Sequence, residues 1–517
     1  MKHLDIVFVK PGSQRQLYGE LSTFAVTAIE PPLWAALLAA HMRQQGFSVA
    51  LFDAEMEGWS YEETAQKIME ADPLLAAMVV SGTNPSASTM NMTGAGEILK
   101  YVRGRRPDMK TALTGLHPSA LPERTLREEE VDFLCQGEGF STLPQLLEAL
   151  KAQIDDFPIA GLWYQKDGRI VSNPRPPLME DLDRLPMPAW DLLPLAKYRA
   201  HNWHCFGHIH ARQPYAVIYT SLGCPFRCSF CCINALFGKP GIRYRSPEKV
   251  VEEIDYLVKN FNLRNIKIID EMFALKESHV IRFCDLIIER GYDLNMWAYA
   301  RVNTVNERML WKMRKAGIRW LAYGFESGNQ EVLRAVSKEY DPDTVGQVVQ
   351  MTYDTGIYIC ANYIFGLPDD DRGSMQDTLD LAVKINAEWA NFYAAMGYPG
   401  SRLYDQAMAR GWPLPKTWEG YSPYSYETLP LPTKYLTGPE VLHFRDQAFQ
   451  DYFQRPEYMS MIAKKFGLET VRHIQEMTSF QLDRKGVKSK QQNSPTAMFS
   501  NLPEELRFSS QMLGGRK

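Results

Sequence analysis

YAVIYTSLGCPFRCSFCC (215–232) runs an apolar, aromatic stretch directly into a loop bearing Cys224, Cys228 and Cys231 in the spacing C-x3-C-x2-C. The run before the loop has the content of a buried strand. Three thiolates so close together can hold a four-iron, four-sulfur cluster by three of its irons, leaving the fourth iron without a protein ligand. Electron-transfer ferredoxins close all four positions with Cys, whereas an open iron is a place for chemistry. A zinc loop would pair C-x2-C units with a second pair of ligands downstream, and none stands near by. Cys232 follows at once, and its side chain is expected to point elsewhere, outside the ligand set.

Downstream, the alternation continues through NIKIIDE (265–271), LNMWAYAR (294–301), IRWLAYGFE (318–326), IYICANYIFG (357–366) and EWANFYAAM (388–396). Helical stretches near 247–260, 276–290, 306–316, 342–354 and 373–386 lie between them. Six strand–helix units predict a partial, TIM-like (β/α)6 barrel over 213–410, with its active site at the carboxyl ends of the strands. Those ends carry Asp270 and Glu271, Arg301, Glu326 and Ser327 in GFESG, Gly366 in FGLP, and Tyr398 and Pro399 in YPGS. A carboxylate between glycines, as at Glu326, is awkward unless something pairs with it. Gly366 would let backbone approach a ligand closely, and a tight turn explains it almost as well.

Upstream, LDIVFV (4–9), SVALFDA (48–54), LLAAMVVSG (74–82), KTALTG (110–115) and VDFLCQG (131–137) alternate with helices over 32–46, 61–71, 88–104 and from Leu143. The fold class is α/β: a doubly wound, flavodoxin-like domain over 1–150, with any ligand outside the carboxyl ends of its strands. The segment 151–212 is read as a Pro-rich connector whose Trp190, Leu192 and Leu193 could pack across a domain seam. Its tract HNWHCFGHIH (201–210) could bind metal with Cys205; the preferred reading is a connector whose histidines face the cavity or solvent. Residues 411–517 read as a mainly helical cap, with WEGYSPYSYETLPLP (418–432) and GPEVLHFRDQAFQDYF (438–453) over the barrel and a polar tail after Lys490.

Composition narrows the function classes. At 517 residues, 45% hydrophobic and 23% charged, the chain has the make-up of a soluble globular protein of several domains. A net charge of −4 provides no basic field for a phosphate backbone, so nucleic acid is excluded as the main partner. No window approaches the length of a membrane span, and MKHLDIVFVKPGSQ does not read as a signal peptide. Eight cysteines, three of them clustered, fit a reducing compartment, and the expected localisation is cytoplasmic.

The three-cysteine spacing resembles the signature of the radical S-adenosylmethionine enzymes, in which that cofactor's amino and carboxylate groups fill the open iron. The resemblance implies that Phe230 packs near the adenine, that Asp270, Glu271, Glu326 and Ser327 meet the ammonium or ribose, that Arg301 meets the carboxylate, and that Gly366, Tyr398 and Pro399 border the cofactor. The segments EPPLWAALLAAHMRQQGFSVALFDAE, VVSGTNPSAST, LTGLHPSALPE and VDFLCQGEGF look like the cobalamin-binding domain fused ahead of many such modules. That second resemblance implies corrin contacts from Ser81, Gly82, Thr83, Asn84, Gly115, His117, Gly137, Glu138 and Gly139. D-x-H-x-x-G, by which many cobalamin proteins supply a lower axial histidine, is absent, so His117 is read as an edge contact.

Taken whole, the chain resembles cobalamin-dependent, class B radical S-adenosylmethionine methylases over about 1–450. The implied activity methylates an unactivated carbon of a small-molecule substrate, using a [4Fe-4S] cluster, S-adenosylmethionine and methylcobalamin, with flavodoxin or ferredoxin as electron donor. A cobalamin-linked cyclase or rearrangement enzyme without methyl transfer is the alternative within enzymes. A non-catalytic corrin-binding sensor or carrier is the alternative outside them, and the intact cysteine motif argues against it.

Overall fold

A computed structural model of the protein describes residues 4–12, 27–82 and 88–485. The amino-terminal sheet contains β1 (Leu4–Lys10), β2 (Val49–Asp53), β3 (Pro73–Val80), β4 (Thr111–Gly115), β5 (Phe133–Cys135), β6 (Leu162–Lys166) and β7 (Arg169–Ser172), in the order β2-β1-β3-β4-β5-β6-β7. The first five are parallel, the order of a flavodoxin-like fold. Alternate strand residues feed separate cores. Ile6, Phe8, Leu75, Ala77 and Val79 pack with α1 (Leu33–Gln44) and α4 (Thr142–Lys151) on one face. Val7, Val9, Ala76, Met78 and Val80 pack with α2 (Tyr61–Ala71) and α3 (Met92–Arg105) on the other. Helix α1 is buried at every position from Leu33 to Met42, because the sheet covers one side and the connector the other: Ala189 N–H donates to the Ala36 carbonyl.

The connector does more than expected. Its first part forms the antiparallel hairpin β6–β7, which extends the sheet beyond β5. The turn is Asp167-Gly168, both at positive φ (51° and 74°), the geometry that matches the twist of paired strands. Further on, Trp190 is buried in the core and donates its indole N–H to Glu253 of the helix that follows the cysteine loop.

The second sheet holds β8 (Tyr215–Ile218), β11 (Asn265–Ile268), β12 (Asn295–Ala300), β13 (Ile318–Glu326), β14 (Tyr358–Phe365) and β15 (Trp389–Ala394), all parallel, in the order β15-β14-β13-β12-β11-β8. A two-residue-long ladder pairs β9 (Ser221–Leu222) with β10 (Arg243–Tyr244) across the base of the cysteine loop. Helices α5 (Pro247–Phe261), α6 (Glu277–Arg290), α7 (Glu307–Lys315), α8 (Pro342–Asp354) and α9 (Arg372–Ile385) complete the partial barrel. Its amino-terminal end is plugged by aromatics: Trp203 and Phe206 from the connector and Phe466 from α12 pack on Trp320.

Beyond α10 (Arg402–Arg410), the segment 411–436 crosses the mouth, where Leu431 N–H donates to the Ala395 carbonyl. Helix α11 (Gly438–Phe453), expected to cap the barrel, lies instead on its outer face: Tyr452 packs on Phe392 and donates to the Ala387 carbonyl. Helices α12 (Pro456–Phe466) and α13 (Leu468–Thr478) follow. The tail expected after Lys490 lies outside the described residues. Among the described residues no helix is long and apolar enough to cross a membrane.

Candidate active site

The loop that leaves β8 is fastened before it reaches its cysteines. Thr220 N–H donates to Asp270 at 2.6 Å, and the hydroxyls of Thr220 and Ser221 donate to the same carboxylate. Asp270 is fully buried, so these bonds are worth far more than their surface equivalents. They also occupy the carboxylate. Asp270, expected at the cofactor, is thereby corrected to an anchor of the cysteine loop. Gly223 follows at φ 93°, where a Cβ would stand 2.5 Å from the Gly241 carbonyl oxygen. Gly241 N–H donates to the Cys224 carbonyl, Ser229 N–H to that of Val336, and Leu403 N–H to that of Ser229, so the loop is tied on three sides.

Cys224, Cys228 and Cys231 are unbridged thiols within this frame. Burial pushes Cys224 up to about 11 and Cys231 well above the usual thiol range, so these groups shed protons only to a strong Lewis acid or a nearby cation. Arg301 supplies the cation. Its guanidinium stands 3.8 Å from Cys228 Sγ and lies 3.9 Å over the Phe226 ring. Cys232 is buried in the main core, as is Cys224. Three free thiols beside a guanidinium are a donor set that fits an anionic iron–sulfur cluster. Among the described residues no three His, Cys, Asp or Glu side chains converge on a single ion, and that holds for the histidine tract too. His204 bonds the Asn295 carbonyl and His210 pairs with Glu469.

Around the mouth the remaining candidates divide. Glu271 is half-buried and accepts from Gly223 N–H at 3.3 Å; burial, with Asp270 adjacent, raises its carboxyl to about 8. Glu326 sits at φ 62° on a bulge between β13 and β14, a conformation that costs about 1 kcal/mol for a non-glycine residue. Its buried carboxylate pairs with Lys338, whose ammonium also lies 5.9 Å over the Phe230 ring. Lys338, twelve residues downstream, carried no signal in the sequence. Phe230 is half-buried between two small apolar clusters, one with Val336 and Leu367 and the other with Leu403 and Leu431. Tyr398 donates to the Tyr421 carbonyl at 3.2 Å, and Pro399 beside it is buried.

Two expected contacts are corrected. Ser327 Oγ is 3.1 Å from Thr378 Oγ1 and accepts from Asn329 N–H, so it holds α9 rather than a ligand. At Gly366, φ 78°, a Cβ would lie 2.3 Å from Val441 Cγ1; the close approach there is that of α11, not of a cofactor.

On the amino-terminal sheet, the ends of β3, β4 and β5 turn towards the barrel. Ser81 and Gly82 are held by Asn91 and Ser88; Thr83 and Asn84 lie outside the described residues. Gly115 is required by β3 itself, since its Cβ would sit 2.1 Å from the Val80 carbonyl oxygen. His117 is fully buried, with Nδ1 3.2 Å from Thr89 Oγ1, its ring on Trp418, and Nε2 without a partner among the described residues; burial lowers it to about 3, so it is neutral. Thr114 Oγ1, which faces Gly139, is likewise buried and has no partner among the described residues. A buried imidazole nitrogen at the β4 exit with no partner among the described residues fits an amide-rich ligand such as a corrin. Gly137 N–H donates to Ser119, Gly139 faces Leu38 and Leu143, and both border an open cavity of about 680 Å³ that reaches the connector. Glu138 is spent on Arg243 at 2.7 Å and on Met179 N–H, which corrects it from a corrin contact to a clamp between the halves. Small residues set a second joint: a Cβ on Gly400 would lie 2.5 Å from Ala235 Cβ and 3.0 Å from Ala120 Cβ.

Comparison with known proteins agrees with this division. Residues 218–382 match the Radical SAM superfamily model and residues 23–147 match the B12 binding domain model. An uncharacterized methyltransferase of Pyrococcus horikoshii is 28% identical, over 89% of this chain and 94% of its own. An anaerobic magnesium-protoporphyrin IX monomethyl ester cyclase of Rubrivivax gelatinosus is 28% identical, over 73% of this chain and 66% of its own. Among solved structures, the radical S-adenosylmethionine methyltransferase TsrM of Kitasatospora setae, with cobalamin and a [4Fe-4S] cluster bound, superposes with a TM-score of 0.62 at 17% identity, covering 79% of this chain and 75% of that one. At that identity the likeness is one of fold.

Proposed function

This chain carries a radical S-adenosylmethionine domain behind a B12-binding domain, and from that premise we propose that it is an enzyme that methylates an unactivated carbon of a small-molecule substrate. The observation that carries the reading is the set of three unbridged thiols on the loop leaving the first barrel strand, with the Arg301 guanidinium beside Cys228. Its cofactors are a [4Fe-4S] cluster, S-adenosylmethionine and cobalamin. When bound, the cluster and S-adenosylmethionine supply a 5′-deoxyadenosyl radical, and cobalamin supplies a methyl carrier.

The chain's own part is holding and shielding. Cys224, Cys228 and Cys231 hold the cluster, and Arg301 offsets the charge gathered there. Glu326 and Lys338 present paired opposite charges, and Glu271 a protonatable carboxyl, towards a zwitterionic cofactor. Phe230 offers a flat face for a purine. The segment 411–436, crossing the mouth with Trp418 on His117, keeps water away from reactive species. Hydrogen abstraction by a radical needs no general base, and no candidate base is assigned. An external donor such as flavodoxin or ferredoxin delivers the electron, which places the reaction in a reducing, cytoplasmic setting.

Anaerobic reconstitution with iron, sulfide, cobalamin, S-adenosylmethionine and a strong reductant tests the reading. Formation of both 5′-deoxyadenosine and S-adenosylhomocysteine is expected. Absence of the first would sink the radical assignment. Absence of the second alone would leave the cyclase-like reading, which the Rubrivivax relative supports over a smaller share of both chains. Cys228→Ala is expected to lose bound iron and to make no 5′-deoxyadenosine.

A further inference from the structure

Inside the barrel, three tyrosines are unused by the cofactor reading. Side chains alternate along each strand, so Tyr299 on β12 and Tyr393 on β15 point into the lumen, while Phe392 faces α11 outside. Tyr219, just past β8, joins them and meets Trp34 of α1 edge-on at 6.1 Å. Each ring lies deep enough that burial raises its phenol above the usual range, yet each keeps accessible surface. Depth together with accessibility means that the rings border an internal space. None of the three hydroxyls has a hydrogen-bond partner among the described residues.

The amide side chains of the lining are already satisfied, while Trp34 Nε1 has no partner among the described residues and adds a further neutral donor. Asn391 donates to Asn362 at 3.0 Å, Asn362 donates to the Tyr323 carbonyl, and Trp389 donates to Asn391. Lys267, the ammonium on the inner face, is paired with Glu30, and Glu271, which acts on Tyr219 and Tyr299, is raised by burial to about 8 and so is mostly uncharged at neutral pH. Three neutral phenolic donors without acceptors, set in aromatic walls, select a partner by type. A charged molecule would lose hydration there and gain no counter-ion.

We infer that the lumen between Tyr219, Tyr299 and Tyr393 is the substrate site, and that it takes an uncharged molecule with a flat, unsaturated body and carbonyl or ether oxygens. This inference rests on the proposed enzyme reading and deepens it. The oxygens accept from the phenols, and the flat body lies between the rings and Trp34, on the side facing the B12-binding domain.

The probe is 7-methoxycoumarin, neutral, flat, carbonyl-bearing and fluorescent, titrated anaerobically into the enzyme reconstituted with cluster and cobalamin. Its anionic relative coumarin-3-carboxylate serves as the contrast. The wild type is expected to bind 7-methoxycoumarin about tenfold more tightly than the anion, and the double variant Tyr299→Phe/Tyr393→Phe to lose about tenfold, the worth of two modest hydrogen bonds. No binding by the wild type, a loss below about twofold in the variant, or tighter binding of the anion overturns the inference. Production of 5′-deoxyadenosine is measured in the same preparations without coumarin. If it forms while the coumarin result fails, only the substrate site is wrong. If it does not form, the enzyme reading fails whatever the coumarin does.

Discussion

Carboxylates at two barrel strand ends illustrate how residue-level roles separate. Asp270 is consumed by Thr220 and Ser221, whereas Glu326, on a strained backbone, is held by a single buried Lys338. Removing one member of such a pair strands the other charge. Glu326→Ala is expected to cost about 3 kcal/mol in urea unfolding, and Lys338→Met to restore part of the loss when combined with it. His117 allows a pH test. Its folded-state value near 3 lies below the ordinary 6.5, so between those values the unfolded chain binds a proton that the folded chain refuses. Stability therefore falls as pH drops through that window, by up to about 1.4 kcal/mol per pH unit from this group. His117→Asn is expected to flatten the stability profile between pH 6.5 and 4 relative to the wild type, and an unchanged slope would contradict the burial argument. The cysteines were legible because their spacing is local. The partnerships of Asp270, Glu326 and Glu138 were not, since Lys338 and Arg243 reach them only through tertiary contact.

Among elements, α11 shows what hydrophobic alternation can and cannot disclose. Its amphipathic character was plain in the sequence, but its seat against the outside of β14 and β15 depends on Gly366 leaving room for Val441. Gly366→Ala combines a positive φ with a clash and is expected to cost about 3 kcal/mol, read as a lowered denaturation midpoint. Adding Val441→Ala should relieve the clash and leave the smaller backbone penalty. The eleven parallel strands of the two sheets were readable as apolar runs, because a strand buried on both faces needs no polar residues. The β6–β7 hairpin was not, although Asp167-Gly168 marks its turn: the prolines that follow suggested a connector, and β7 is short and half-exposed. The β9–β10 ladder involves two residues from each strand, too few for any pattern.

Over the whole molecule, the two sheets are joined by buried polar contacts. Glu30, ahead of α1, receives the ammonium of Lys267 from inside the barrel and the hydroxyl of Tyr215, while Arg175 spans to the Ala235 and Leu236 carbonyls. Glu30→Ala removes the carboxylate that pairs with Lys267 in the lumen wall, at an expected cost of about 3 kcal/mol. Calorimetry should then show the single wild-type transition broaden or split into two. The joint at Gly400, Ala120 and Ala235 sets how closely the two halves can pack. Backbone and methyl groups alone separate the segment after the cysteine loop from the amino-terminal half at that point, so the spacing of the two halves is gauged there by the absence of side chains. Each added carbon there would act as a shim, which makes these positions a dial for how closely the two halves approach.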